Sequence, residues 1–143
     1  MSTVASNRFK KELWNSTING SSDTFKCILM QSGFIYSQVT MGTYGDVSAS
    51  ELPTALGYTI GGNTLAGVAI TQDDTLNLGK IAWNNTSWVA TGGNLVASGA
   101  IIYDDTHAND VVVCYIDFGG DVTTLNGGTF TLANIYLRAK NPA

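Results

Sequence analysis

The chain reads as a mainly β protein, an antiparallel β-sandwich of jelly-roll-like type with a short N-terminal helix. Three observations lead there. From residue 57 onward, short runs of strand-forming residues alternate with Gly, Asn and Asp clusters at spacings near ten residues, the rhythm of a sandwich or barrel. The 143 residues include 17 Thr, 16 Gly and 12 Asn, and only 13 % are charged, about half the usual share. Two runs, 95–103 and 111–118, are apolar with little alternation, as central strands covered on both faces require. The length fits one folded unit, divided into an N-terminal helix or arm, residues 1–20, and a single β-sandwich domain, residues 21–143.

The helix is expected over residues 3–14, where Ala5, Phe9 and Leu13 recur every four residues and Arg8 and Lys11 fall on another face. Asn19-Gly-Ser-Ser-Asp23 breaks that pattern, and a strand follows over 23–31. Residues 32–56, rich in Gly, Ser and Tyr, read as a long surface excursion with a capped turn at Ser48-Ala-Ser-Glu51 that Pro53 soon ends. A loop of that length is uncommon unless it contacts something, which makes it a candidate intersubunit surface. Strands are then expected over 64–71, 78–83, 88–90, 95–103, 111–118, 122–125 and 129–137. Asn126-Gly127 is the strongest hairpin signal among the turns, because those residues tolerate the positive φ of a primed turn.

The formal net charge of −4 is unevenly spread. Residues 41–137 carry nine acids against Lys80 alone, whereas Arg8, Lys10, Lys11 and Lys26 outnumber Glu12 and Asp23 in residues 1–40. An acidic body argues against a nucleic-acid partner, since phosphate binding draws its affinity from clustered Lys and Arg. Sparse charge also leaves a surface less protected against association, which suits a repeated assembly. The N-terminus lacks a signal-peptide pattern and no 18-residue apolar span follows, so the expectation is a soluble protein made in the cytoplasm with no membrane partner. Cys27 and Cys114 lie in apolar segments without neighbouring ligands, and read as buried thiols in preference to a disulfide or a zinc site.

His107, the sole histidine, lies among Asp104, Asp105, Asn109 and Asp110, so a base with an orienting carboxylate can be drawn. No nucleophile elbow and no Cys in an exposed electropositive setting accompanies it, and Asp, Thr and Asn are also the residues with which a loop bonds its own backbone. The loop reading is preferred, and no catalytic residue is assigned. Neither these acids nor Gln72-Asp-Asp-Thr75 has calcium-loop spacing, and the Gly pairs lack phosphate-loop spacing, so no metal and no cofactor is expected. Trp83, Trp88, Tyr103, Tyr115 and Phe118 form either a sugar-binding platform or core packing, with packing preferred.

Several segments carry a resemblance in their order along the chain. They are Asn7-Arg-Phe-Lys-Lys-Glu-Leu13, Asp23-Thr-Phe-Lys-Cys-Ile-Leu29, Gly57-Tyr-Thr-Ile-Gly-Gly-Asn-Thr-Leu-Ala-Gly-Val68, Gln72-Asp-Asp-Thr75, Ile102-Tyr-Asp-Asp-Thr-His-Ala-Asn-Asp110, Tyr115-Ile-Asp-Phe-Gly119 and Asn126-Gly-Gly-Thr-Phe-Thr131. Together they resemble a family of small virion structural proteins of tailed bacteriophages. The resemblance implies a non-enzymatic role in the particle. It favours a head decoration or cement protein, commonly a trimer, that clamps copies of the major capsid protein from outside the shell. The other role it leaves is a tail, adaptor or fibre-associated component that touches host glycans. The chain departs from the family at residues 32–56. The candidate contact residues are Arg8, Phe9, Lys10, Lys11, Leu13 and Trp14 in the basic N-terminal segment, with Tyr36 and Tyr44 in the excursion. On this reading, removing residues 1–15 leaves a folded domain that no longer binds particles.

Overall fold

The computed structural model describes residues 2–140. In chain order the elements are β1 (Ser2–Ala5), α1 (Asn7–Trp14), β2 (Phe25–Met30), α2 (Tyr44–Val47), a 3₁₀ turn (Ser48–Ser50), β3 (Asn63–Thr64), β4 (Ala69–Asp73), β5 (Leu78–Trp83), β6 (Thr86–Val89), β7 (Leu95–Asp104), β8 (Val112–Thr124), β9 (Thr129–Leu132) and β10 (Ile135–Lys140). They form a five-stranded sheet in the order β1-β8-β7-β2-β3, a three-stranded sheet β10-β5-β4 and a β6-β9 pair. Every pairing is antiparallel. The fold is thus mainly β with a short N-terminal helix, the class the composition predicts.

The central strands β2, β7 and the first half of β8 are buried on both faces, and this explains the unbroken apolar runs of β7 and β8. On the front face Phe25, Cys27 and Leu29 of β2, Ala100 and Ile102 of β7, and Ile116 of β8 pack against Trp83, Trp88, Phe130, Leu132 and Ile135 from the two smaller sheets and against Phe9 of α1. On the back face Ile28, Met30, Ile101, Tyr103, Val112 and Tyr115 meet Phe34, Tyr36, Met41, Tyr44 and Val47. The segment expected to face a neighbouring subunit therefore covers its own sheet. Side chains alternate between faces along a strand, so a central strand with partners on both sides needs an apolar residue at every position.

Glu51 pins the end of that cover. It is buried, bridges to Met30 across the sheet edge, and its carboxylate accepts the Tyr44 hydroxyl (2.5 Å), the Tyr58 hydroxyl (2.6 Å) and the Gly61 amide (2.7 Å). Tyr44 in turn stacks on Tyr103 of β7 with ring centroids 4.7 Å apart.

Several sequence expectations need correction. The helix starts at Asn7, not at residue 3, because Ser6 caps it: its hydroxyl accepts the Phe9 amide at 2.9 Å while Ser2–Ala5 pairs with Cys114–Asp117 as an edge strand. The N-terminal segment is consequently woven into the body, with β1 paired to β8 and Phe9 in the core. The strand expected over 64–71 is two strands in different sheets, separated where Gly67 takes φ +66°. A Cβ at Gly67 would lie 2.3 Å from the Asn84 side chain, so this turn needs glycine twice over. The expected break at Gly119-Gly-Asp121 is a wide bulge inside one strand: one residue of β7 stands against four of β8 between the pairs Ala97–Val122 and Gly99–Asp117. The strand expected over 129–137 divides at Asn134, whose φ is +55°. Asn126-Gly127 does form a turn, closed by the Gly128 amide on the Leu125 carbonyl at 2.8 Å. Only Gly127 of the two has positive φ, and the strands on either side join different sheets, so the turn is not a hairpin.

Candidate functional site

The loop between β7 and β8 is held by its own acids. Asp104, fully buried, accepts the amides of Thr106 (2.8 Å) and His107 (3.1 Å) on one carboxylate oxygen, while the other oxygen has no partner among the described residues. Burial pushes its carboxyl up to about 6, assisted by the Asp23 carboxyl beside it and opposed by the two amides. Lys26 pairs with Asp105 at 3.5 Å, and the Thr24 amide donates to the Thr106 hydroxyl at 2.8 Å, so the start of β2 clamps the loop.

His107 sits over helix α1. Its Nδ1 accepts the Asn109 amide at 3.1 Å, which places the ring hydrogen of the neutral form on Nε2, and Nε2 lies 3.9 Å from Glu12 Oε2. Glu12 is itself buried and engaged by the Thr17 hydroxyl (2.7 Å), Arg8 Nε (2.8 Å) and Lys11 Nζ (3.6 Å). The Thr17 hydrogen bond first, then Arg8 and Lys11, hold its carboxyl down at about 2 against the opposing effect of burial. In this arrangement the Asn109 amide takes the Nδ1 lone pair, and Nε2 faces the Glu12 carboxylate from beyond hydrogen-bond distance. The cluster ties α1 to the loop.

The residues predicted to make contacts divide sharply. Phe9 is 6 % exposed and belongs to the core, whereas Trp14 is 90 % exposed and Leu13 is 46 % exposed. Arg8 is committed to Glu12, while Lys10 reaches only Asn7, at 3.5 Å. Tyr36 and Tyr44 are half-buried against Tyr115 and Tyr103. Two residues that the sequence did not single out are more exposed than either tyrosine. Ile35 and Val39 stand 82 % and 73 % exposed, and share a hollow of about 870 Å³ with Val4 and Gln38. The signal for them was available, since aliphatic side chains in a polar excursion need a partner, but nothing in the spacing separates those facing inward from those facing out.

Four of the five aromatics considered for a sugar platform, Trp83, Trp88, Tyr103 and Tyr115, are buried, and Phe118 packs against Phe130. A half-buried aromatic lies elsewhere. On the outer face of the three-stranded sheet, Tyr136 carries Arg138 Cζ 4.7 Å and Lys80 Nζ 5.8 Å from its ring centroid. The alternation Ile135-Tyr-Leu-Arg138 encodes this, with Ile135 and Leu137 facing the core and the other two facing outward.

Cys27 and Cys114 are both buried thiols on strands separated by β7. Burial pushes the Cys114 thiol up to about 12 and that of Cys27 higher still. Two strand spacings hold the backbones roughly 10 Å apart, beyond disulfide reach. Among the described residues no three His, Cys, Asp or Glu side chains gather as a metal site, and no helix is long and apolar enough to cross a membrane. The fold and its internally bonded polar clusters define a mainly antiparallel β protein with a short helix. Comparison with protein-family models, with curated proteins and with solved structures finds no match to the chain.

Proposed function

We propose that this chain is a non-enzymatic structural component of a bacteriophage particle, a head decoration protein that binds the major capsid protein from outside the shell as a homo-oligomer, with a trimer favoured. One observation carries the reading beyond the resemblance of its sequence segments. The excursion that covers the back of the central sheet leaves Ile35 and Val39 exposed beside Val4, an apolar patch on a surface otherwise poor in charge. A protein present in many copies gains from several weak contacts engaged together, so a patch of this modest size suffices. The test is the stoichiometry of this chain in purified particles, measured by quantitative gel densitometry. Abundance approaching that of the major capsid protein supports head decoration. A dozen or fewer copies per particle would move the protein to the tail, an adaptor ring or a fibre, and absence from particles would sink the reading altogether.

A further inference from the structure

The turn joining β5 to β6 (Asn84, Asn85) and the turn joining β9 to β10 (Ala133, Asn134) lie side by side, tied by the Asn134 amide on Asn85 Oδ1 at 3.3 Å. Between them and the outer face of the three-stranded sheet is a cleft of about 580 Å³, walled by Lys80, Ala82, Tyr136 and the three asparagines. We propose that this cleft binds an acidic sugar residue, its carboxylate on Lys80 and its hydroxyls on the side-chain amides of Asn84, Asn85 and Asn134.

The chemistry of the walls selects that ligand. Lys80 stands alone among nine acids in residues 41–137, and its cross-strand partner Arg138 lines the adjoining hollow. The ion pairs of the described residues involve neither of them. Asp73 and Asp74 line the adjoining hollow, but Asp73 accepts the Leu76 amide and Asp74 the Gln72 side-chain amide. The two cations are therefore held against Tyr136 by the ring and not by a carboxylate. Asn84 and Asn134 side chains make no hydrogen bond within the described protein, and Asn85 retains its NH₂ group. An amide both donates and accepts, which is what a sugar hydroxyl demands, and a half-buried tyrosine ring offers an apolar surface to the C–H face of a pyranose. A neutral sugar would leave Lys80 unused, and a bare anion would leave the amides and the ring unused.

The test is titration of the ¹⁵N-labelled full chain with methyl glucuronide, methyl glucoside and inorganic phosphate, following amide shifts. Methyl glucuronide is expected to move the side-chain amides of the three asparagines and the backbone amides of Lys80 and Tyr136. A dissociation constant of roughly a millimole per litre fits a ligand of about fourteen non-hydrogen atoms. Methyl glucoside should bind at least fivefold more weakly. Tyr136→Ala and Lys80→Gln, both at the surface, should abolish the shifts while leaving amide dispersion intact. No shift at these residues overturns the proposal, as does equal affinity for glucoside, or for phosphate with the same set of shifts. Because the readout is the purified chain in solution, this outcome is independent of where in a particle the protein sits.

Discussion

Glu51 accepts the Tyr58 hydroxyl at 2.6 Å on one carboxylate oxygen and the Tyr44 hydroxyl at 2.5 Å on the other, joining helix α2 and the irregular stretch around Tyr58 to the edge of the central sheet. The Gly61 amide adds a third donor. Removing the acceptor strands one buried donor, Tyr58, and two part-buried ones, and hydrogen bonds to a charged group are each worth about 1.5–3 kcal/mol. Glu51→Ala should therefore lose at least about 3 kcal/mol, which lowers the thermal midpoint on the order of 10 °C for a chain of this length. Tyr58→Phe, which removes one donor to Glu51 and the acceptor of the buried Leu29 amide (3.2 Å), should lose about 2 kcal/mol. Chemical denaturation of the two variants checks the ranking; a Glu51→Ala protein as stable as the parent would show that the carboxylate does not anchor the cover.

Two carboxyls with opposite displacements predict a maximum in stability on the acid side of neutrality. Asp104, raised to about 6, keeps a proton in the folded state that the unfolded chain has released. Its contribution is full below pH 4 and is lost as pH rises through 6, amounting to at most about 3 kcal/mol. Glu12, lowered to about 2, works the other way, since its contribution is full above pH 4.5 and is lost as pH falls toward 2. The thermal midpoint should rise from pH 7 to about pH 4.5 and then fall. Asp104→Asn keeps an acceptor for the Thr106 and His107 amides and removes the buried charge, so it should flatten the limb between pH 4 and 6 and exceed the parent at pH 7. If the limb persists in that variant, Asp104 is not its source.

What was legible in the sequence follows from how local each signal is. The runs 95–103 and 111–118 announced central strands because two-sided burial is written at every position of the strand itself. The bulge at Gly119-Gly120 and the partition of residues 129–137 at Asn134 were hidden, because which strand pairs with which sheet depends on residues far away. The same holds for the site. His107 was visible as the sole imidazole, yet its neighbour Glu12 lies 95 positions earlier and no spacing rule links them. Tyr136 is hidden because a single strand over 129–137 puts it on the inward face of Phe130 and Leu132, whereas the break at Asn134 turns it outward between Ile135 and Leu137.

Phe9 and Trp14 share one short helix and should respond oppositely to the same substitution. Phe9 packs in the front core, and Phe9→Ala removes a ring from a closely packed site at a cost of about 3–5 kcal/mol. Trp14 is nearly free of the body, so Trp14→Ala should leave the unfolding transition within about 0.5 kcal/mol of the parent. If the particle reading holds, Trp14→Ala should instead lower occupancy on purified heads, as should Ile35→Asp and Val39→Asp. Normal occupancy in all three folded variants would remove both exposed surfaces from consideration as the capsid contact.

The N-terminal segment cannot be removed to test contact, because β1 and α1 belong to the fold. Val4 pairs with Tyr115 and Ala5 with Cys114, so cutting residues 2–15 bares the edge of β8 along four apolar or acidic positions, Cys114 to Asp117. It also removes Phe9 from the front core, along with the buried Ser6 hydroxyl and the Glu12 carboxylate beside His107. An unpaired apolar strand edge is a template for intermolecular pairing. The truncated chain should therefore aggregate or unfold on purification, as size-exclusion chromatography and circular dichroism would report, and its failure to bind particles would say nothing about contact. Lys10→Glu with Lys11→Glu is the informative alternative, since Lys10 meets only Asn7, and Lys11 reaches Glu12 at a loose 3.6 Å. That double variant should keep the parent's unfolding midpoint within a few degrees; a monodisperse, cooperatively folded truncation would instead show that the segment is an arm after all.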